Sequence, residues 1–296
     1  MSVGLEYGPP SLEKTLGALP VVRDFLARLD VAGTVDRLCP VRDLARLTHG
    51  QVIEALIANR LTSPTPLVRV TDWAQTWAVQ EMLGIPADAL GGDRIGRAPD
   101  ALAPEAEHVA GSVGTRAIVE FGVDVSRIHW DMTSMSLFGA YPQVDPDYAT
   151  PRYGHPKDRR PDLKHVQTGL AVTGDGGIPV FHRAYDGGAA EVSQVTGAMR
   201  ALRQIAGQRR FLLVGDSTLV SYTNLTELAA AEVQFIAPAP KSAVPQAVLA
   251  ACDWALATPV HYTAARDSAK LAHQRGAYRS PRTVRPCVGL GPPTLR

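Results

Sequence analysis

The chain has 296 residues, 45% of them apolar and 20% charged, which leaves room for one large or two ordinary cores in a globular composition. No run approaches the ~18 apolar residues of a membrane span, and the opening MSVGLEYGPPSLEK has no secretory apolar region; three scattered cysteines, Cys39, Cys252 and Cys287, form no zinc or redox spacing and fit a reducing cytoplasm. The net charge of +1 hides 11 Lys and Arg against 16 Asp and Glu in residues 1–125, then 19 against 13 in residues 126–296, so the second half is the one that can face a polyanion.

The first part reads as helices. From Pro20, Val22, Phe25, Leu26 and Leu29 recur at helical steps. Thr48 is a candidate cap for HGQVIEALIANRL, whose Val52, Ile53, Leu56 and Ile57 make an apolar stripe. Val70, Trp73 and Trp77 predict one helix over residues 67–83, with the two tryptophans read as core rather than as a base-stacking platform. Gly91, Gly92, Gly96 and Pro99 predict a break, and Pro104 opens a last helix that carries Val109, Val113, Ile118 and Phe121 to Gly122. This predicts an all-α unit ending near Val125.

From Ser126 the period becomes strand-like. Arg127 to Phe138 is followed by a polar loop, then by His165 to Val172 and Ile178 to Tyr185, joined by TGDGGIP as a hairpin. Glu191 to Ile205 has helical spacing, Phe211 to Gly215 is a buried strand, Asn224 to Val233 an Ala-rich helix and Gln234 to Ala237 a further strand. Asp131 sits in the first of these strands and Asp216 just past the fourth. A buried, unpaired carboxylate costs several kcal/mol, so two acids in such apolar runs predict a shared hydrophilic purpose. If the strands are neighbours, both reach one point and offer a site for hard divalent cations. The plainer alternative is a turn or cap role, above all for Asp216 before Ser217. Alternation turns His129 to the face of Asp131, as its hydrogen-bond partner or as a packed core histidine. Thr133 and Ser134 are strand residues or hydroxyls that orient Asp131 or a phosphate.

HWDMTS, then GHPKDRRPDLKHVQTGLAV, then VGDSTLVSYTNL, together resemble bacterial insertion-sequence transposases with a DDE catalytic triad. LGALPVVRDFL and HGQVIEALIANRLTSPTPL resemble the helical N-terminal domain of one branch of that family, so the resemblance covers roughly residues 12–278. It implies an α/β chain with a ribonuclease-H-like mixed sheet flanked by helices, preceded by an all-α N-terminal domain. The implied domains are a helical one over 1–125, a DDE catalytic one over 126–278 and a disordered or out-of-frame tail over 279–296.

The resemblance further implies metal-dependent DNA cleavage and strand transfer at transposon ends. Asp131 and Asp216 take the catalytic and metal-ligand roles, with two Mg²⁺ (or Mn²⁺) ions expected in an intact site. The partners are transposon-end DNA and target DNA, with a homodimer in the synaptic complex, in the cytoplasm. The basic loop RYGHPKDRRPDLKH offers His155, Lys157, Arg159, Arg160 and Lys164 for DNA, with Asp158 and Asp162 as partners of its arginines; a solvated loop is the plainer reading. Lys241 reads as surface. The family's third acid, a glutamate well past the second aspartate, has no match. Only Asp253 and Asp267 follow Glu232, and the tail YRSPRTVRPCVGLGPPTLR reads as a truncation. Three alternatives stay open: a non-catalytic DNA-binding or inhibitory remnant, a metal-dependent nuclease of the same fold and, last, a hydrolase using Ser217 without a Gly-x-Ser-x-Gly elbow.

Overall fold

The computed structural model describes residues 13–42, 44–142, 145–207, 209–239 and 246–280. Lys241, Cys287 and the tail from residue 281 lie outside them. The chain divides into two compact units, one of residues 1–189 and 200–211, the other of 190–199 and 212–296. Among the described residues, no helix is long and apolar enough to cross a membrane.

The first unit begins with helices. In α1 (Leu19–Leu29) the buried Leu19, Val22 and Leu26 fall on one stripe, while Phe25, also at the predicted spacing, is exposed. It stops at Asp30, whose φ of 51° is left-handed and which at once begins α2 (Val31–Leu38). The sequence reading has no such helix, because an aspartate at a left-handed cap carries no glycine signal. Thr48 caps α3 (His49–Thr62) through a capping box with Gln51. The α2–α3 crossing is close: a Cβ on Gly50 would lie 2.3 Å from the Ala32 carbonyl oxygen. Gly50 N–H donates to Asp36 at 2.7 Å, and Ala32 N–H to Glu54 at 3.2 Å.

The helix predicted over 67–83 is two, α4 (Val70–Thr76) and α5 (Val79–Leu83), parted at an extended Trp77. Thr15 causes the break. Its N–H donates to the Thr76 carbonyl at 2.9 Å and its carbonyl accepts from Ala78 N–H at 2.9 Å, taking backbone groups a continuous helix would use. Trp73 is buried and Trp77 packs against the same core, as expected. The predicted break at the glycines and Pro99 is instead α6 (Gly92–Leu102), held by the buried Ile95 and Ala98 with Pro99 inside it; tertiary burial overrides a poor local propensity. After it, α7 (Ala106–Phe121) ends at Gly122, φ 61°.

Three antiparallel strands complete this unit: β1 (Arg127–Leu137), β2 (Lys164–Thr173) and β3 (Pro179–Tyr185). The β2–β3 hairpin turns at Gly176 and Gly177, both at left-handed φ, which is why the turn needs glycine there. The second unit carries the first turns of α8 (Glu191–Ala206), then β4 (Leu212–Val214), α9 (Tyr222–Ala230) and β5 (Gln234–Ile236). Strands β4 and β5 pair in parallel with α9 as their crossover. Farther on lie α10 (Gln246–Ala250) and the antiparallel pair β6 (Thr258–Val260) and β7 (Tyr278–Ser280). The strands are thus of mixed direction with helices between and before them, and the succession β-β-β-α-β-α-β is that of the ribonuclease-H-like class. The helical region keeps its own core, from Leu19 to Val109.

Candidate metal centre

Strand β1 places Asp131 by alternation. Ile128, Trp130 and Met132 are buried, while Arg127, His129, Asp131 and Thr133 are exposed. His129 therefore does share the face of Asp131, and on that face it is exposed rather than packed in the core. Asp131 lies on the open face of the strand, its side chain 70% exposed. An aspartate on the open face of a strand keeps its hydration and needs no buried partner.

The basic loop after β1 folds back along that strand. Lys157 N–H donates to Ser134 Oγ at 2.7 Å, and Ser136 Oγ donates to Asp158 at 2.6 Å. The latter bond holds the Asp158 carboxyl below the usual carboxylate range. Docked this way, Lys157 reaches Asp131 Oδ1 with Nζ at 3.2 Å and also donates to the Met132 carbonyl. The Ser134 hydroxyl thus orients the loop rather than Asp131.

The other residues singled out for DNA are placed differently. Arg160 forms a two-pronged pair with Asp162 at 2.8 and 2.7 Å, which lowers the Asp162 carboxyl. Lys164 donates to the carbonyls of Ala140 and Tyr141 at 2.6 and 3.0 Å. His155 and Arg159 are exposed, the latter at a left-handed φ of 61°.

In the second unit, Asp216 does act as a cap. Its Oδ1 accepts from Thr218 N–H at 2.9 Å and from the Thr218 hydroxyl, starting a 3-10 turn, Ser217–Leu219. Both bonds end on Oδ1, so the role in the turn fixes the carboxylate and leaves Oδ2 as its second oxygen. Glu191, at the first turn of α8, brings a carboxylate oxygen within 4.8 Å of one on Asp216. Glu191 carries no sequence signal as a site residue, because it lies before Asp216 in the chain whereas the resemblance places the third glutamate after it. Asn224 fixes this neighbourhood. It is 2% exposed, donates to the Val192 carbonyl at 3.0 Å and accepts from the Thr196 hydroxyl at 3.3 Å, tying α9 to the start of α8. A lone buried asparagine in an Ala-rich helix was its only signal.

Two carboxylates this close repel by about 1 kcal/mol even in water-like surroundings, and a cation between them removes that cost. Oxygen-only donors are the set hard divalent cations take. Asp253 and Asp267, the acids after Glu232, serve local structure: Asp253 accepts from Ala255 N–H at 3.0 Å, and Asp267 pairs with Lys270 at 2.8 Å.

No curated protein matches the chain. A family model described as a domain of unknown function, DUF4277, matches residues 12–109. Among solved structures, the chain is similar to a piggyBac transposase synaptic complex with hairpin DNA, at TM-score 0.42 and 9% identity, covering 81% of this chain and 55% of that one. It is also similar to the catalytic domain of Mos1 mariner transposase, at TM-score 0.26 and 9% identity over 47% of this chain and 62% of that one. A Mos1 mariner paired-end complex with Mn gives TM-score 0.28 and 10% identity over 76% and 78%. These three solved structures are of transposases, and the chain spans about half the length of the piggyBac chain, 55%.

Proposed function

We propose that the chain is an insertion-sequence transposase that cleaves and joins DNA at transposon ends, with Glu191 and Asp216, which approach each other within the second unit, and Asp131, by the resemblance, as the acids that hold divalent cations. The reading rests on the Glu191–Asp216 pair, whose oxygens lie within 4.8 Å. Asp131 enters the proposed site through the HWDMTS resemblance, as its further carboxylate. Glu191 then fills the place for which no glutamate exists after Glu232. Divalent cations, when held by these carboxylates, would supply activation of a water or a 3′-hydroxyl and stabilisation of the leaving oxygen of a phosphodiester.

The chain's own part is positioning. Thr218 fixes the Asp216 carboxylate, Asn224 fixes the turn that carries Glu191, and Lys157 neutralises Asp131 until a cation arrives. His155 and Arg159 are the loop groups proposed to hold DNA phosphates. Transposon-end and target DNA are the proposed partners, two ends held by a homodimer in the cytoplasm, with Mg²⁺ or Mn²⁺ as the ion.

The test uses Asp131→Asn, Glu191→Gln and Asp216→Asn, with end-bearing DNA and Mn²⁺. Each variant is expected to lose nicking by at least about a hundredfold, the scale of losing one preorganised charge-stabilising group, and to weaken Mn²⁺ binding while DNA binding persists. Full nicking by Glu191→Gln removes that residue from the site. Equal loss of DNA binding and nicking in Asp131→Asn counts against its role as a ligand. Nicking without joining of a 3′-hydroxyl to target DNA makes the chain a nuclease instead.

A further inference from the structure

The helical region holds a second place with chemistry of its own. A cavity of about 810 Å³ lies between the segment after α2, the start of α3 and the first turns of α6. Four arginines line it, Arg42, Arg46, Arg94 and Arg97, together with His49 and the fully exposed Leu44. This is a local concentration, because residues 1–125 carry a net charge of −5.

Four guanidinium groups around one space repel unless anions join them. Two carboxylates do so from the rim: Asp88 pairs with Arg46 at 2.8 Å and Asp93 with Arg97 at 3.2 Å, and both acids are largely exposed. Arg94 donates one terminal N–H to the Leu47 carbonyl. Among the described residues, the cavity thus has an excess of positive charge and planar donor forks. An anion rich in acceptor oxygens and carrying several charges answers both, which is the chemistry of phosphate groups.

We propose that this arginine cavity binds phosphate groups, supplied either by the backbone of duplex DNA or by a free nucleoside polyphosphate. The proposal stands independently of the acidic site, so it is tested in metal-free buffer with EDTA on the full chain. The variants are Arg42→Ala/Arg97→Ala, at two exposed positions, and Asp88→Asn, which frees Arg46. The probes are a short duplex of arbitrary sequence, titrated over about 50 to 200 mM NaCl, and ATP.

If DNA is the source, the double variant binds the duplex with a salt slope shallower by about 1.8, two lost phosphate contacts at ~0.9 each, and Asp88→Asn binds it more tightly than wild type. If a free polyphosphate is the source, duplex binding is unchanged while ATP binding falls at least about tenfold in the double variant and rises in Asp88→Asn. An unchanged response to both probes in a double variant that melts like wild type overturns the proposal. So does an Asp88→Asn variant that binds neither probe more tightly.

Discussion

Lys157 and Asp131 set the behaviour of the acidic face one residue at a time. Their 3.2 Å pair is half exposed on the lysine side and more open on the aspartate side, so its worth is that of a surface ion pair, about 0.2–1 kcal/mol. A cation arriving at Asp131 has to displace that ammonium. Lys157→Met is therefore expected to raise Mn²⁺ affinity up to about fivefold, read by the paramagnetic signal of free Mn²⁺, with unchanged melting; weaker binding would mean that Lys157 helps to hold the site together. Asn224 acts at the same scale through geometry. Asn224→Leu leaves the Val192 carbonyl without its donor, and the variant is expected to lose about 1–3 kcal/mol in denaturant unfolding. Asp131 and Asp216 were legible as residues because each ends or interrupts an apolar run. Glu191 was not: at the first turn of a helix an acid is ordinary, and only its approach to Asp216 sets it apart.

Helices and strands show where local signals suffice and where close approach decides. The capping box at Thr48 and the period-2 alternation of β1 are written in neighbouring residues, and both stand where the sequence puts them. The break at Trp77 depends on Thr15, some sixty positions away, so periodicity alone runs α4 and α5 together. Two glycines mark contacts that no periodicity reveals. A Cβ on Gly169 in β2 would lie 2.1 Å from the Trp130 ring, and one on Gly50 would meet the backbone of α2. Gly169→Ala and Gly50→Ala are each expected to destabilise by about 1–3 kcal/mol, measured by urea unfolding. The Gly50 cost is the larger, since backbone yields less than a side chain. Gly122→Ala, where nothing lies within 4 Å of the added Cβ, is expected to pay only for its left-handed φ of 61°.

At the scale of the whole molecule, α7 and β3 join the helical region to the antiparallel strands within the first unit. Arg183 grips Glu107 with two bonds of 2.6 and 2.7 Å, and these hold the Glu107 carboxyl below the usual carboxylate range. A depressed folded value means that the ionised form is favoured by folding, so the contribution is present above the unfolded value near ~4.3 and disappears as pH falls through the folded one. Glu107→Gln is expected to lower stability at neutral pH by no more than about 1 kcal/mol, as the pair is partly exposed, and the gap to wild type closes in acid; melting curves against pH check it. A gap that widens in acid would mean that folding favours the protonated Glu107 carboxyl. The change from helical to strand period near residue 126, the β-β-β-α-β-α-β order and the two aspartates are written in neighbouring residues, because they depend on local period and on which face meets water. The exposure of Asp131, the return of Lys157 onto it, the approach of Glu191 to Asp216 and the sharing of one cavity by four arginines appear only once the chain is packed. Such meetings join residues far apart in the chain, and their distances are set by packing, which no local pattern encodes.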